Sequence, residues 1–264
     1  MKILYTGANG RMAVVIREAL SAKFDEVVLF VRTAPTRLFP GETVVTGDLR
    51  DLSALQRAVD DVDVIIHLGG IADESSFAEI LSSNIEGTYN VLEAARLGGV
   101  RRVVFASSNH VTGFYPVTER IDADQPVRPD SYYGVSKVFG EALGRLYHDK
   151  WGLEIINLRI GSCRPAPEDR RQLRIWLSHR DAAQLFERAV LATEIGYLTL
   201  YGASANASGY WNNSAGEAAL GYMPQDSAED HAGLVSTADV EYYHQGGQYA
   251  GANYEGGSWV PRVR

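Results

Sequence analysis

A glycine-rich turn directly follows the first apolar segment of the chain. The sequence TGANGRMA, residues 6–13, lies between a short apolar strand and a helical pattern at residues 11–21. In this strand–turn–helix context Gly7 permits a tight turn, and Gly10 lets backbone N–H groups approach a pyrophosphate at the helix N-terminus. The small Ala13 allows the helix to pack closely on a sheet. The pattern therefore predicts a dinucleotide-binding unit rather than an ordinary strand-to-helix turn.

Apolar segments alternate with helical patterns along most of the chain. The predicted strands lie near residues 2–6, 26–31, 43–46, 62–67, 101–106, 153–159 and 197–201. The predicted helices lie near residues 11–21, 52–59, 76–98, 132–150, 180–192 and 213–220. Short continuous apolar runs are typical of parallel strands that helices cover on both faces. The sequence therefore predicts an α/β fold with a Rossmann-like, doubly wound parallel sheet, whose ligand lies at the carboxyl ends of the strands.

The chain has 264 residues, enough for one large α/β domain or two small ones. No internal repeat or low-complexity tract divides it, and we expect a single Rossmann-type domain over residues 1–264. The cofactor is predicted to bind mainly residues 1–160, and the substrate mainly residues 161–245. Residues 202–264 are rich in Gly, Asn, Ser and Tyr, which is typical of a small irregular C-terminal cap. The tail at 246–264 is expected to be poorly ordered.

The composition argues against several classes of partner. A net charge of −8 and a pI near 5.3 make a nucleic-acid partner unexpected. No apolar run approaches the ~20 residues of a membrane span, and no charged-then-apolar leader precedes the first strand, so no membrane association is predicted. The single cysteine, Cys163, excludes an internal disulfide framework, fits a cytoplasmic location and is interpreted as a buried filler. The six histidines form no HExxH pair and there is no CxxC, so no metal site is predicted.

Three polar residues in the middle of the chain form a candidate proton-transfer site. Tyr133 and Lys137 are four positions apart, which places them on one helix face. An ammonium beside a phenol lowers the cost of forming a phenolate. Ser108 follows the apolar run at 103–106 and can hydrogen-bond the same substrate oxygen. A lone YxxxK pair is more often a surface tyrosine with a solvated lysine, but the serine and the glycine loop favour catalysis. We therefore predict oxidation of an alcohol or reduction of a carbonyl.

Several motifs resemble the extended short-chain dehydrogenase/reductase superfamily from residue 2 to about 225. They are Thr-Gly-x-x-Gly in the glycine loop, Gly47-Asp48-Leu49, His67-Leu68-Gly69-Gly70, Asn84, Ser108 and Tyr133-x-x-x-Lys137. Longer segments are similar to uronate dehydrogenases within that superfamily. These are HLGGI at 67–71, FASSNHVTGFYP at 105–116, RPDSYYGVSKVFGE at 128–141, RIGSC at 159–163, WLSH at 176–179 and YGASAN at 201–206. Because these segments are much longer than a cofactor motif, the resemblance is specific.

The resemblance implies a binding role for each matching position. The implied cofactor contacts are Gly7, Asn9, Gly10 and Arg11 on the pyrophosphate, Asp48 and Leu49 at the adenine, Leu68 and Gly69 near the nicotinamide, Lys137 on the ribose, and also Asn84 and Tyr133. The implied substrate contacts are Ser108, Asn109, Tyr133, Ser162 and Arg171. Arg171 is expected to hold a carboxylate, since a planar guanidinium can bind both oxygens. From the residues alone, Arg171 would be interpreted as a solvated arginine, and His110 as either a structural loop residue or a substrate contact.

Two positions depart from the uronate dehydrogenase pattern. The family usually has a serine directly after HLGGI, where this chain has Ala72, and Ser75 or Ser76 are the candidates to compensate. At the end of the second strand, NAD-specific relatives place an aspartate on the ribose 2′-hydroxyl, whereas this chain has Arg32. An arginine there suits a 2′-phosphate, but it can also point into solvent or stack on adenine while NAD binds. The cofactor is therefore NAD or NADP.

The resemblance implies a reaction. Tyr133 takes the proton from the C1 hydroxyl of a cyclic hexuronic acid, galacturonate or glucuronate. A hydride passes to the nicotinamide, and the product is an aldarolactone. The alternatives are a sugar-nucleotide epimerase or dehydratase on the same fold, and a non-catalytic NAD(P)-sensing protein. Epimerases usually need a larger C-terminal domain, and sensing proteins often lose the tyrosine–lysine pair. Long helices at 76–98 and 132–150 resemble the dimer-forming pair of the superfamily, so a homo-oligomer is predicted.

Overall fold

The central element is a sheet of seven strands in the order β3-β2-β1-β4-β5-β6-β9. The computed structural model describes residues 1–235 and 242–256. The strands are β1 (Lys2–Thr6), β2 (Glu26–Val31), β3 (Glu42–Thr46), β4 (Val64–His67), β5 (Arg102–Ser108), β6 (Glu154–Ile160) and β9 (Tyr197–Gly202), while β7 (Ser162–Cys163) and β8 (Trp176–Leu177) form a separate parallel pair. All neighbours in the large sheet are parallel. The strand order reverses at β1, which makes the crevice beside β4 the expected ligand site. The predicted doubly wound sheet is confirmed.

Helices cover both faces of the sheet, which explains the continuous apolar runs of the strands. The α-helices are α1 (Arg11–Leu20), α2 (Leu52–Ala58), α3 (Phe77–Ile80), α4 (Gly87–Leu97), α5 (Tyr132–Trp151), α6 (Gln172–Ile175), α7 (His179–Leu191) and α8 (Ser214–Leu220). On one face, Tyr5 and Ile66 pack with side chains of α1 and α7. On the other, Leu4 and Ile65 pack with α2, α4 and α5. Alternate residues of one strand thus belong to two separate cores.

Helix α5 carries the predicted tyrosine–lysine pair, and its start is fixed by two side chains. The Ser131 hydroxyl accepts a first-turn backbone N–H at 3.0 Å. The Glu74 carboxylate accepts the backbone N–H groups of Tyr132 and Tyr133 at 3.0 and 2.8 Å. Both interactions satisfy amides that have no partner within the helix, and the carboxylate also suits the positive helix end. The helix ends at Gly152, which has a φ of +71° that favours glycine. The position of Tyr133 is therefore set by backbone contacts at the helix start.

The helix predicted at 76–98 is not a single α-helix. It consists of α3, a π-helical segment at Leu81–Glu86, and α4. The wider π turn contains Asn84, whose side-chain amide bonds both backbone groups of Ile71. Such π turns occur frequently at functional sites. The amphipathic pattern could predict the helical stretch but not the change of winding, because the pattern carries no information about the Asn84 contact.

The C-terminal part of the described structure packs against the body of the protein. A short 3₁₀ helix at Gly247–Ala250 includes the buried Tyr249. Gln245, just before it, is buried and donates to the carbonyl oxygens of Pro116 and Glu119 at 3.2 and 2.8 Å. Residues 246–256 of the predicted tail are therefore placed by specific contacts, and residues 257–264 lie outside the described residues.

No helix in the described residues is both long and apolar enough to cross a membrane. Likewise, residues 1–235 and 242–256 contain no group of three or more His, Cys, Asp or Glu side chains arranged to hold a metal ion.

Candidate active site

A cavity of about 780 Å³ lies at the carboxyl ends of the central strands. It is lined by loops that follow β1, β4, β5 and β6, which is where ligands bind in doubly wound folds. The cavity brings together most of the predicted site residues, namely Gly7, Asn9, Gly10, Arg11, Leu68, Gly69, Ser108, Asn109, Tyr133, Lys137 and Ser162. Residues far apart in sequence thus share one wall because parallel strands end at the same edge of the sheet.

The glycine loop has the geometry of a phosphate cradle. Gly7 has a φ of +69°, and a Cβ on it would lie 2.6 Å from the Cα of Gly69. Only glycine fits there, because the two loops approach backbone to backbone. Helix α1 begins after Gly10 with no side-chain cap and no acidic residue in its first turn. Its first N–H groups and its positive end therefore face the cavity without a competing carboxylate, which fits a pyrophosphate.

Three predicted cofactor residues lie beside the cavity rather than in its wall. Asp48 and Leu49 follow β3, and Arg32 follows β2 as an exposed side chain. The Arg50 guanidinium donates to both Asp48 oxygens at 2.9 and 2.8 Å and holds the pKa of that carboxyl down at about 2. A Cβ added to Gly69 would lie 2.7 Å from the Leu49 side chain, so Leu49 supports the loop that lines the cavity. Their contacts with adenosine remain a proposal.

The predicted proton-transfer residues converge in the cavity. Ser108 ends β5, and Lys137 donates from Nζ to the carbonyl of Ala106 at 2.8 Å. The same Nζ lies 5.5 Å from the centre of the Tyr133 ring. Burial raises the pKa of Tyr133 to about 12, and the hydrogen bond with Ser108 opposes that rise. Burial lowers the pKa of Lys137 to about 8, opposed by the charge of Glu141. Ser108 therefore favours the phenolate, while the carboxylates nearby favour the phenol.

Asn84 connects two walls of the active site by hydrogen bonds of its side-chain amide. Its oxygen accepts from the backbone of Ile71 at 2.7 Å, and its nitrogen donates to the Ile71 carbonyl at 2.9 Å and to Ser136 at 3.1 Å. These bonds join the loop after β4 to helix α5. Asn84 does not line the cavity. We therefore propose that its part in cofactor binding is indirect, through the position of the two walls it connects.

Arg171 lies directly behind Asn109 and, unlike Asn109, does not itself line the cavity. With the Asn109 amide nitrogen donating to the Ile160 carbonyl at 3.1 Å, the amide oxygen accepts from Nη2 of Arg171 at 3.0 Å. Nε of Arg171 donates to the carbonyl of Gln245 at 2.7 Å. The pKa of Arg171 is lowered by burial, and the carboxylate that opposes this most strongly belongs to Asp130. Asp130 itself is bound to His110, whose Nδ1 is 2.8 Å from Oδ2.

Several residues of the site carry no sequence motif. Asp73 and Tyr249 line the cavity, Asp130 orients His110, and Glu74 fixes the start of α5. Cys163 also lines the cavity as a half-buried side chain, so the predicted buried filler is wrong, and burial raises the pKa of its thiol to about 12, which disfavours the thiolate. The glycine pair after Gln245 was the available signal for the C-terminal contribution, since adjacent glycines often mark close approaches of the backbone.

Fold and site together indicate a class of protein: an NAD-dependent dehydrogenase that acts on a CH–OH group. The sequence model of the NAD-dependent epimerase/dehydratase family matches residues 3–164, and the chain belongs to this family. It is 44% identical to the uronate dehydrogenase of Pseudomonas putida, over 94% of this chain and 95% of that protein.

Solved structures agree with the sequence relatives. The glucuronic acid dehydrogenase of Chromohalobacter salexigens is similar with a TM-score of 0.90 and 43% identity, over 95% of this chain and 97% of that one. A mutant uronate dehydrogenase from Agrobacterium tumefaciens, complexed with NAD, has a TM-score of 0.89 and 42% identity, over 94% of this chain and 96% of that one. The predicted resemblance to uronate dehydrogenases is confirmed.

Proposed function

We propose that the enzyme oxidises a hexuronic acid, galacturonate or glucuronate, at C1 to the aldarolactone. The assignment of a sugar acid as the substrate rests on the Arg171 guanidinium. Among residues 1–235 and 242–256, no carboxylate oxygen lies within 4.0 Å of it. Three buried arginines elsewhere, Arg17, Arg102 and Arg159, each contact a glutamate at 2.7 to 2.8 Å. A charge removed from water needs a partner. A sugar carboxylate bound next to Asn109 would be the negatively charged partner of the Arg171 guanidinium.

The side chains around C1 of the bound sugar have separate roles in proton transfer. NAD supplies the hydride acceptor when bound. Tyr133, as phenolate, accepts the proton of the C1 hydroxyl, and Ser108 donates a hydrogen bond that stabilises the oxygen as charge develops. Lys137 places its ammonium 5.5 Å from the centre of the Tyr133 ring, where a positive charge favours a phenolate over a phenol. Arg171 and Asn109 orient the sugar from its carboxylate end, which converts binding energy into alignment.

The proposal is tested by reduction of the cofactor, measured by absorbance, with galacturonate, glucuronate, galactose and glucose. We expect reduction with at least one uronate and little with the corresponding neutral hexose. Sugar nucleotides serve as the test for an epimerase or dehydratase, and a titration with cofactor alone tests for a sensing protein. Equal turnover of galactose and galacturonate would contradict recognition of a carboxylate.

The rate of oxidation should rise with pH, because the deprotonated form of Tyr133 is the active base. The Ser108 bond lowers the pKa of Tyr133, so Ser108→Ala should move the rising limb of the kcat profile to higher pH. Ser53→Ala is the control, since the Ser53 hydroxyl donates to Asp51 on the protein surface at 2.7 Å, away from the cavity. A Ser108→Ala profile with its limb in the wild-type position would show that Ser108 does not act on the tyrosine.

Cofactor choice is proposed to depend on Arg32. The described segment directly after β2, residues 32–38, contains no acidic side chain to repel a 2′-phosphate. An arginine there adds a charge-assisted bond of about 1.5–3 kcal/mol, roughly tenfold to a hundredfold in affinity. We expect use of both NAD and NADP, and Arg32→Asp should shift the kcat/KM ratio toward NAD. Arg37→Asp, on the same exposed segment, is the control. If the wild-type enzyme excludes NADP as strictly as Arg32→Asp does, Arg32 takes no part.

A homo-oligomer is proposed from an exposed apolar face on α3, the π segment, α4 and α5. Its exposed side chains are Phe77, Leu81, Tyr89, Tyr132 and Val135. A second copy of the chain would cover these groups. Val135→Asp should reduce the mass measured by light scattering, whereas Val127→Asp, equally exposed at 44% but in a loop, should not. An unchanged mass for Val135→Asp would place the contact elsewhere. A cytoplasmic location stays a prediction.

A further inference from the structure

The C-terminal segment at residues 245–254, here called the strap, meets Arg171 at its first end. The carbonyl of Gln245 accepts a hydrogen bond from Nε of Arg171, and the Gln245 backbone N–H donates to the backbone carbonyl of Tyr115 at 2.9 Å. Gly247 has a φ of +65°, and a Cβ on it would lie 2.5 Å from Cδ of Arg171. The strap therefore passes directly over the arginine stem, at a distance that only glycine allows.

At its other end the strap is bound to the loop after β4. The hydroxyl groups of Tyr249 and Tyr254 donate to the same oxygen of Asp73, Oδ1, at 2.5 and 2.7 Å. The two rings lie 4.5 Å apart, centre to centre. Hydrogen bonds to a charged acceptor are stronger than those between neutral groups. Asp73 thus connects the strap to the wall that continues into the predicted nicotinamide passage at Leu68 and Gly69.

The two tyrosines differ in what they reach. Tyr249 lines the cavity, and its ring packs on that of His110 with centres 3.8 Å apart and the two planes tilted by 31°. It also shares an apolar cluster with Tyr133 and Ile80. Tyr254 packs on the outside of this cluster and is not part of the cavity wall. Of the pair, Tyr249 is therefore the residue that a bound sugar meets.

The loop after β4, next to Tyr249, has few side chains that could hydrogen-bond a sugar. Ala72 has no polar side-chain atom, and the hydroxyls of Ser75 and Ser76 both donate to Glu79, at 2.5 and 2.7 Å. Neither serine lines the cavity. The predicted compensation for Ala72 by these serines therefore has no support in the geometry, whereas Asp73 and Tyr249 both line the cavity here.

We propose that Tyr249 is a specificity-determining residue of the sugar pocket and that Asp73 is the residue that positions it. The proposal rests on the proposed function, because the ligand is taken to be a hexuronic acid. Galacturonate and glucuronate differ only in the direction of the C4 hydroxyl. A ring held rigidly between His110 and Asp73 distinguishes the two, since one epimer directs its hydroxyl toward the wall and the other away from it. A ring free to move discriminates less.

The experiment compares four variants with the wild-type enzyme, each at its pH of maximal rate: Tyr249→Phe, Asp73→Ala, Asp73→Asn and Tyr254→Phe. We expect Tyr249→Phe and Asp73→Ala to raise KM for the preferred uronate about tenfold or more, as for loss of a bond to a charged group. The ratio of kcat/KM between the two uronates should move toward one. NADH affinity, measured by fluorescence, should change less than about twofold.

The remaining two variants separate positioning from stability. Asp73→Asn keeps an oxygen acceptor and should retain most of the wild-type KM and epimer ratio. Tyr254→Phe removes a bond to the same Asp73 oxygen outside the cavity, so it should lower Tm without changing the epimer ratio. If Tyr249→Phe and Tyr254→Phe give the same Tm and the same kinetics, the strap is only structural and the proposal is overturned. A wild-type enzyme without activity on either uronate overturns the proposed function instead, which is a distinct result.

Discussion

Tyr133→Phe is expected to lower kcat for uronate oxidation by about 10²–10⁴-fold, the usual contribution of a general base. The phenylalanine ring fills the same buried space, but it has no oxygen to accept the C1 proton. Cofactor affinity should change little, because the glycine loop and the start of α1 provide the pyrophosphate contacts. The measurement is steady-state oxidation of the preferred uronate, together with NADH binding by fluorescence.

The neighbouring tyrosine provides the matched control. Tyr132 is 53% exposed and its ring lies 5.6 Å from that of Phe77, on the outer side of the helix. Tyr132→Phe should therefore retain nearly all activity. Lys137→Ala is expected to lower kcat and also to weaken NADH binding, because the ammonium is proposed to serve both. A Tyr133→Phe enzyme with half of the wild-type kcat would remove the tyrosine from the mechanism.

The central strands could be predicted from sequence because they are buried on both faces and read as continuous apolar runs. The predicted strand at 101–106 shows where that signal stops. The observed β5 continues through Ser107 and Ser108, which pair with Arg159 and Ile160 of β6. Both serines are buried, at 2% and 3% exposure, but their polarity ends the apolar pattern. Ser107 is satisfied by Glu141, a partner 34 positions away, which no local pattern can reveal.

The shortest elements could not be predicted. β7, β8 and α6 contain two, two and four residues, which is a single period of a strand or about one turn of a helix. They exist because tertiary contacts hold them. Trp176, for example, donates from its ring nitrogen to the carbonyl of Arg164 at 2.8 Å. Propensity is a weak signal over such lengths, and packing decides the outcome.

The candidate site also contains residues that could be predicted from sequence and residues that could not. Gly7, Ser108, Tyr133 and Lys137 could be predicted because their chemistry depends on local spacing, which sequence displays directly. The strap could not, because the Tyr249 hydroxyl meets Asp73 across 176 positions and neither residue belongs to a motif. Contacts of this kind follow from the path of the folded chain. They are therefore where residue-by-residue transfer from relatives is weakest.

Arg171→Ala is expected to raise KM for galacturonate and glucuronate by about 30-fold to several thousandfold, since truncating one partner of a hydrogen-bonded charge pair costs roughly 2–5 kcal/mol. The loss should be smaller with Arg171→Lys, which keeps the charge but not the planar fork. Weak activity on neutral hexoses should be nearly unchanged by either substitution, because those sugars offer no carboxylate. The discrimination between uronate and hexose should therefore collapse in Arg171→Ala.

The control for this prediction is Arg174→Ala. Arg174 lies one turn along the chain, donates to the Ser208 carbonyl at 3.3 Å and packs on the Tyr210 ring, away from the main cavity. Its loss should leave the uronate KM within about twofold of wild type, as expected for surface substitutions. NADH affinity and Tm of Arg171→Ala report whether the cofactor site and the strap remain intact. If Arg171→Ala and Arg174→Ala have the same uronate KM, the buried guanidinium does not bind the substrate carboxylate, and specificity for sugar acids must arise from another residue.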